Sequence, residues 1–215
     1  TKESFIPKLK SIVDVVQLGI STFITQVAIV VVAILSNVQL AKYGALSKYG
    51  QDIPIAIIAI QSKIFTVVIN LVVGIVLGCQ PIISFNFGAR KPERIMKTLK
   101  LSCSAGLTLM VTGLLVFQFA PDLLLGMFNP TEEFLLLGCS ALRIISIHFP
   151  IAALCIILGA TFQAMGNGIY STITSLCRQL LALLPAAYLL SLTGNVHAVW
   201  WAFPIAEIVS ATVTL

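Results

Sequence analysis

Apolar residues in this chain come in long uninterrupted runs. Val15 to Val38 contains no charged residue, and Ile53 to Ala89 contains one, Lys63. A helix needs about 20 such residues to cross a hydrocarbon core about 30 Å thick. A membrane barrel would instead alternate apolar and polar residues over segments of about ten. The pattern predicts an all-α polytopic membrane bundle with six transmembrane helices, roughly Ile12–Leu40, Pro54–Phe87, Glu93–Phe119, Thr131–Met165, Tyr170–Leu192 and His197–Leu215. The separators carry turn-forming residues: Tyr43-Gly44 and Tyr49-Gly50, Gly88 to Pro92, Asn129-Pro130, Gly166-Asn167-Gly168 and Gly194-Asn195. The second and fourth runs exceed what a bilayer requires, so tilt, kinking or projection into the cytoplasm is expected. The last run stops at the final residue with no polar tail, as in a chain cut at a domain limit. Residues 1–215 are expected to form a single six-helix lobe.

Composition strengthens this picture. Hydrophobic residues make up 58% and charged residues 10%, against about 25% charged in soluble domains. So few charges cannot cover a soluble surface, which excludes a cytosolic enzyme, a secreted disulfide scaffold and a disordered segment. The first run is too long for a signal peptide and no small-residue cleavage pattern follows it. Five cysteines (Cys79, Cys103, Cys139, Cys155, Cys177) stand singly in or beside apolar runs. With no Cys-x-x-Cys pair and no histidine at ligand spacing, they read as small buried apolar residues, and no metal site is expected.

The formal charge of +5 points to orientation, not to nucleic acid. Lys2, Lys8 and Lys10 precede the first span; Arg90, Lys91, Arg94, Lys97 and Lys100 join the second and third; Arg178 is counted with the turn into the fifth. All of these fall on one side. Lys42 and Lys48 fall on the other, with Asp52, Asp122, Glu132 and Glu133. By the positive-inside rule the N-terminus is cytoplasmic, and six crossings return the C-terminus to the same side.

Three charges lie well inside spans: Lys63, Arg143 and Glu207. At about 1.5 Å per residue they sit about 14, 18 and 15 Å from the outer helix ends, which predicts a common plane. Intramembrane ionisable groups avoid lipid and mark either paired sites or pathways. Both remain open: Glu207 neutralises a cation to hold helices together, or the three line a polar cavity. Ser140, Arg143 and Ser146 share one helix side, as do Lys63 and Asn70. Gln26 is near the middle of the first span and Gln163 near the inner end of the fourth. A lone Gln or Ser in a membrane helix more often makes an interhelical hydrogen bond than a ligand contact. Pro81, Pro150, Pro185 and Pro204 are expected to break or kink their spans. His148 reads as a hydrogen-bonded helix contact, and His197 as interfacial beside Trp200 and Trp201.

Gly78 to Lys100 reads GCQPIISFNFGARKPERIMKTLK. Its Gln80-Pro81, then Asn86-x-Gly88-Ala89 and a basic loop, resembles the multidrug and toxic compound extrusion (MATE) transporters. Leu18-Gly19-Ile20-Ser21-x-Phe23, the run Gly159 to Asn167 with Gln163 and Gly166, and Trp200 to Glu207 with Pro204 resemble three further family segments in the same order; Ser21 stands where the family commonly has proline. The resemblance implies the C-terminal lobe of a two-lobe, twelve-helix transporter in the cell membrane. It also implies export of small organic, often cationic, compounds in exchange for H+ or Na+. Glu207 is then the candidate coupling-ion or proton site, with Lys63, Asn70, Arg143, Ser140, Ser146 and Gln26 as candidate cavity-lining residues. The implied partners are the lipid bilayer, the substrate and an N-terminal six-helix lobe outside this chain; no cofactor and no nucleic acid are implied. An oligosaccharide-lipid flippase of the same superfamily is the alternative. A membrane serine protease is disfavoured, because Gly138-Cys139-Ser140 and Ser102-Cys103-Ser104 lack the activated-serine pattern. A channel is disfavoured because no filter loop or ring of charges is evident.

Overall fold

Every apolar run is helical where the computed structural model describes it, namely at residues 9–45, 50, 52–193 and 195–214. The side chains at 9–11, 14, 17, 18, 21, 43–45 and 196 are outside the described set. So are Lys2, Lys8, Lys48 and Leu215, and the side chains of Lys10, Leu18 and Ser21. In chain order the elements are α1 (Leu9–Ala45), α2 (Asp52–Gly88), α3 (Pro92–Phe119), α4 (Pro121–Gly126), α5 (Glu132–Ser146), α6 (Phe149–Ala164), α7 (Gly168–Leu176), a π-helical stretch (Cys177–Leu183), α8 (Leu184–Ser191), α9 (Val196–Trp200) and α10 (Ala202–Thr214).

Four helical segments are long and apolar enough to cross a bilayer: Thr22–Lys42 within α1, all of α2, all of α3, and the continuous run Gly168–Ser191. α5 and α6 together make a fifth, bent by 46° at its break. The bend has a sequence cause. Pro150 sits in the first turn of α6, where it has no amide to continue the ladder of α5 and its fixed φ suits a new start. His148 in the break turns its ring Nδ1 to the Ile145 carbonyl. Pro185 directly follows the π-helical stretch, and Pro204 opens α10 just after the interruption at Trp201. Pro81 behaves otherwise. It lies inside α2, which runs unbroken through it; one missing amide among the many of a long helix leaves the neighbouring turns to hold the ladder.

The core lies along one side of the bent pair. Leu137, Ala141, Leu142, Ile145, Phe149 and Ala153 are fully buried there, against Ile57 and Val72 of α2 and Met110 and Phe117 of α3. Phe149 anchors the bend: its ring is 4.9 Å from Phe65, 4.9 Å from Phe117 in an edge-on pair, and 5.2 Å from the His148 ring. Lipid tails are as apolar as leucine, so helices in a membrane associate by close packing more than by the hydrophobic effect. Glycine supplies that closeness at the α3–α6 contact. A Cβ on Gly106 would stand 2.6 Å from Cδ1 of Ile157, inside any real contact distance. Thr131 caps α5 by accepting a hydrogen bond from the Phe134 amide at 3.4 Å, and Glu132 and Glu133 in the first turn complement the helix dipole.

Candidate functional site

Two of the segments that carried the family pattern meet in space although they are far apart in sequence. At the end of α2, Asn86 is buried; its side-chain NH2 donates to the Ile82 carbonyl at 2.8 Å, and its backbone carbonyl accepts from the Lys91 amide at 2.9 Å. Gly88 and Ala89 let the chain leave the helix, and Arg90 takes a positive φ of 54° in the turn. At the end of α6, Gly166 takes a φ of 84°, a left-handed conformation that glycine adopts without steric cost. The two ends are tied together by Ser84, whose hydroxyl donates to the Ala164 carbonyl at 2.7 Å.

Just inside these turns is a cavity of ≈ 300 Å³ between α2, α6, α7 with its π-helical continuation, and α10. Gln80 enters it from α2 and Gln163 from α6, facing Ser171, Thr174, Ser175 and Arg178 on the fifth span and Ser210 on α10. Gln163 donates from Nε2 to the Ser171 hydroxyl at 3.0 Å. The apolar part of the wall includes Val73, Val76, Leu77 and Ile156.

Behind this wall Glu207 is almost completely buried, and Arg178 meets it: Nη1 to Oε1 is 3.5 Å, with the arginine side chain 23% accessible and the glutamate 5%. It is the one ion pair among the described residues. Cys155 of α6 and His148 at the α5–α6 break also lie within electrostatic reach of the carboxylate. No group of three or more His, Cys, Asp or Glu side chains is placed to hold a metal ion among the described residues.

A family model, MatE, matches residues 22–189. The chain belongs to the MatE family. Solved structures agree on the fold. The MatE lobe superposes on a MATE structure in complex with MaL6 at TM-score 0.86 and 20% identity, covering 99% of this chain and 47% of that one. It superposes on an outward-facing multidrug resistance MATE transporter of the MOP superfamily at TM-score 0.87 and 19% identity, covering 99% and 47%. With a MOP superfamily transporter from Pyrococcus furiosus the TM-score is 0.87 at 19% identity, covering 100% and 47%. The chain thus spans about half the length of these relatives, as a single lobe does. No curated protein matches it in sequence.

The placement of charges within the MatE lobe corrects one expectation. Glu207 does not meet Lys63 or Arg143; its partner is Arg178. The sequence pattern counts Arg178 with the basic residues at a turn, but α7 begins at Gly168, so Arg178 lies about 15 Å along the helix. It is therefore an intramembrane charge and not part of the charge asymmetry that orients the chain. Lys63 and Asn70 are exposed on α2, and Gln26 is exposed on α1. Arg143 is exposed in a shallow groove with Leu114, Gln118 and Phe119 of α3. Ser146 is buried, donating to the Arg143 carbonyl at 3.0 Å and accepting from Gln118 Nε2 at 3.2 Å. Ser140 donates back to the Leu136 carbonyl at 3.3 Å. These two serines spend their donors on helix carbonyls.

Proposed function

We propose that this lobe is the C-terminal half of a secondary active efflux transporter in the cell membrane, which exports small organic compounds, often cationic, in antiport with a coupling ion. A second six-helix lobe outside this chain faces it across a cavity, and rocking of the two opens that cavity to each side in turn. The lobe makes no covalent chemistry and takes no cofactor. The observation that carries this reading is the buried Arg178–Glu207 pair, joining a π-helical stretch to α10 beside a polar cavity inside a MatE fold. A carboxylate kept in the membrane interior is costly unless paired. Protonation would release Arg178 from Glu207 and change what the two helices hold together.

Between the two candidate ions, H+ and Na+, the site favours H+. The guanidinium of Arg178 already stands where a sodium ion would approach Oε1, and the two positive charges repel. A coupling ion works only through its different affinity for the two arrangements of the lobes, and a proton on Glu207 supplies that difference by breaking the pair.

Glu207→Gln in the intact two-lobe transporter is expected to leave the protein folded and to abolish proton-driven dye transport in proteoliposomes. Transport that still follows an imposed pH gradient in this variant would sink the coupling role. The orientation has its own check. Met96 is exposed on the first turns of α3 among Arg94, Lys97 and Lys100, a stretch proposed to be cytoplasmic. In a background lacking the native cysteines, Met96→Cys should react with a membrane-impermeant maleimide only after cells are permeabilised. Labelling of intact cells would invert the topology.

A further inference from the structure

The cavity beside the ion pair has a lining whose chemistry is one-sided. Among the described residues Arg178 is the charged one in its wall, and no described acidic side chain lines it. The guanidinium is loosely held. Its bond to Glu207 is a single contact at 3.5 Å, long for a charge-assisted pair, which prefers about 2.7–2.9 Å. Arginine carries five N–H donors in a planar fork, and Nη1 makes the contact recorded for Arg178. Gln80 and Ser175 bring further donors to the same space. The α2 part of the wall combines aliphatic Val73, Val76 and Leu77 with Gln80. A volume of ≈ 300 Å³ is at the lower end of small-molecule sites.

We propose that this cavity within the lobe binds an organic anion, a carboxylate, sulfonate or phosphate on a compact apolar body, through the guanidinium of Arg178 with Gln80 as a second donor. The anion and the Glu207 carboxylate compete for one cation. Binding of the anion therefore favours uptake of a proton by Glu207, and the proton favours the anion by the same factor, as linkage requires. The inference rests on Glu207 as the proton-accepting group and concerns a ligand beside the exported compound, because a compound exchanged for the proton must bind less well, not better, when Glu207 is protonated. The groups facing Glu207 are Arg178 from the π-helical stretch, His148 from the α5–α6 break and Cys155 from α6. A proton on His148 would also raise anion affinity, so the test must separate imidazole from carboxylate.

The test is equilibrium binding to the intact transporter in phosphatidylcholine nanodiscs, with no ion gradient. The probes are naphthalene-1-sulfonate, ionised at every pH used, and the naphthyl trimethylammonium cation with the same aromatic body. Sulfonate binding should depend on Arg178 and cation binding should not, and the sulfonate should bind more tightly as pH falls. Glu207→Gln should raise its affinity and flatten the pH dependence, although His148 is still present. Arg178→Gln should weaken it at least about tenfold, the loss expected for a hydrogen-bonded charge. Should that variant fail to fold, Gly159→Val keeps the question answerable. Gly159 lines the cavity, and a Cβ there meets only the Ser171 hydroxyl at an ordinary 3.5 Å, so its methyl groups fill the site and should block the sulfonate. Adding phosphatidylglycerol separates two sources of the anion: displacement of the sulfonate assigns the site to a lipid headgroup, and no displacement to a soluble anion. Cation binding that depends on Arg178 as strongly as sulfonate binding does, or sulfonate affinity unchanged in Arg178→Gln or Gly159→Val, overturns the proposal. Arg178-dependent binding that ignores pH and Glu207→Gln retains the anion site and removes the proton role of Glu207.

Discussion

Arg178→Met is expected to destabilise the protein by about 2–3 kcal/mol, and adding Glu207→Met to recover most of that loss. Removing one partner of a buried ion pair typically costs about 3–5 kcal/mol, because the other charge stays buried without compensation. Arg178 is 23% accessible and Glu207 5%, so part of the pair's field is screened and the lower figure applies. Replacing both residues with apolar ones of similar length removes the stranded charge, and such replacements are often close to neutral. Unfolding midpoints of the intact protein, its two single variants and the double variant in one detergent provide the cycle. If Arg178→Met proves as stable as the native protein, or the double variant proves weaker than either single one, the pair is not what holds α10 against the fifth span.

Phe149→Ala is expected to have the largest effect of any single truncation in the core, about 3 kcal/mol. Phe→Ala changes in well-packed interiors cost about 3–5 kcal/mol, and the surrounding lipid reduces the transfer part while leaving the cavity part intact. Phe149 is fully buried among Phe65, Phe117 and His148, and the bend between α5 and α6 gives those rings no other surface to close on. Phe119 is the control: it is 82% exposed at the end of α3, and its alanine variant should unfold within about 0.5 kcal/mol of the native protein. Equal midpoints for Phe149→Ala and Phe119→Ala would show that the aromatic cluster does not hold the bend.

Helix existence and the membrane class could be read from the chain because long apolar runs leave few physical alternatives. The family pattern could be read as well, since Asn86, Gly88, Gln163 and Gly166 sit at or beside helix ends where backbone geometry restricts the residue. The partner of Glu207 was harder to find. In the sequence Arg178 reads as one of the basic residues at a turn, although it stands eight positions beyond Tyr170, where the apolar pattern starts the fifth span. Counted from the outer end at Leu192, as for Lys63, Arg143 and Glu207, Arg178 is about 21 Å deep, inside the span and a little below the other three. Depth alone could not have paired it, because four cations and acids at similar levels permit several pairings. The choice is made by helix rotation, and thus by the i+5 register ahead of Pro185. Likewise Pro81 and Pro150 are the same residue type with opposite outcomes: one stays inside a continuous helix and one starts a new helix after a sharp bend.

The stretch Cys177–Leu183 closes its turns over five residues, as where the Leu184 amide donates to the Gln179 carbonyl. Such a turn holds one residue more than an α-turn. In genetic terms the fifth span behaves as a helix carrying a tolerated one-codon insertion. Deleting that codon would leave a longer regular helix, yet everything on one side of it would turn by about 100° relative to the other. Arg178 lies within the affected turns, so the deletion would rotate it against the face that carries Ala182 and Ala187, which are buried beyond it. Length variation in this span is therefore not equivalent to length variation in the loops: a single-residue indel here re-indexes which side chains share a face.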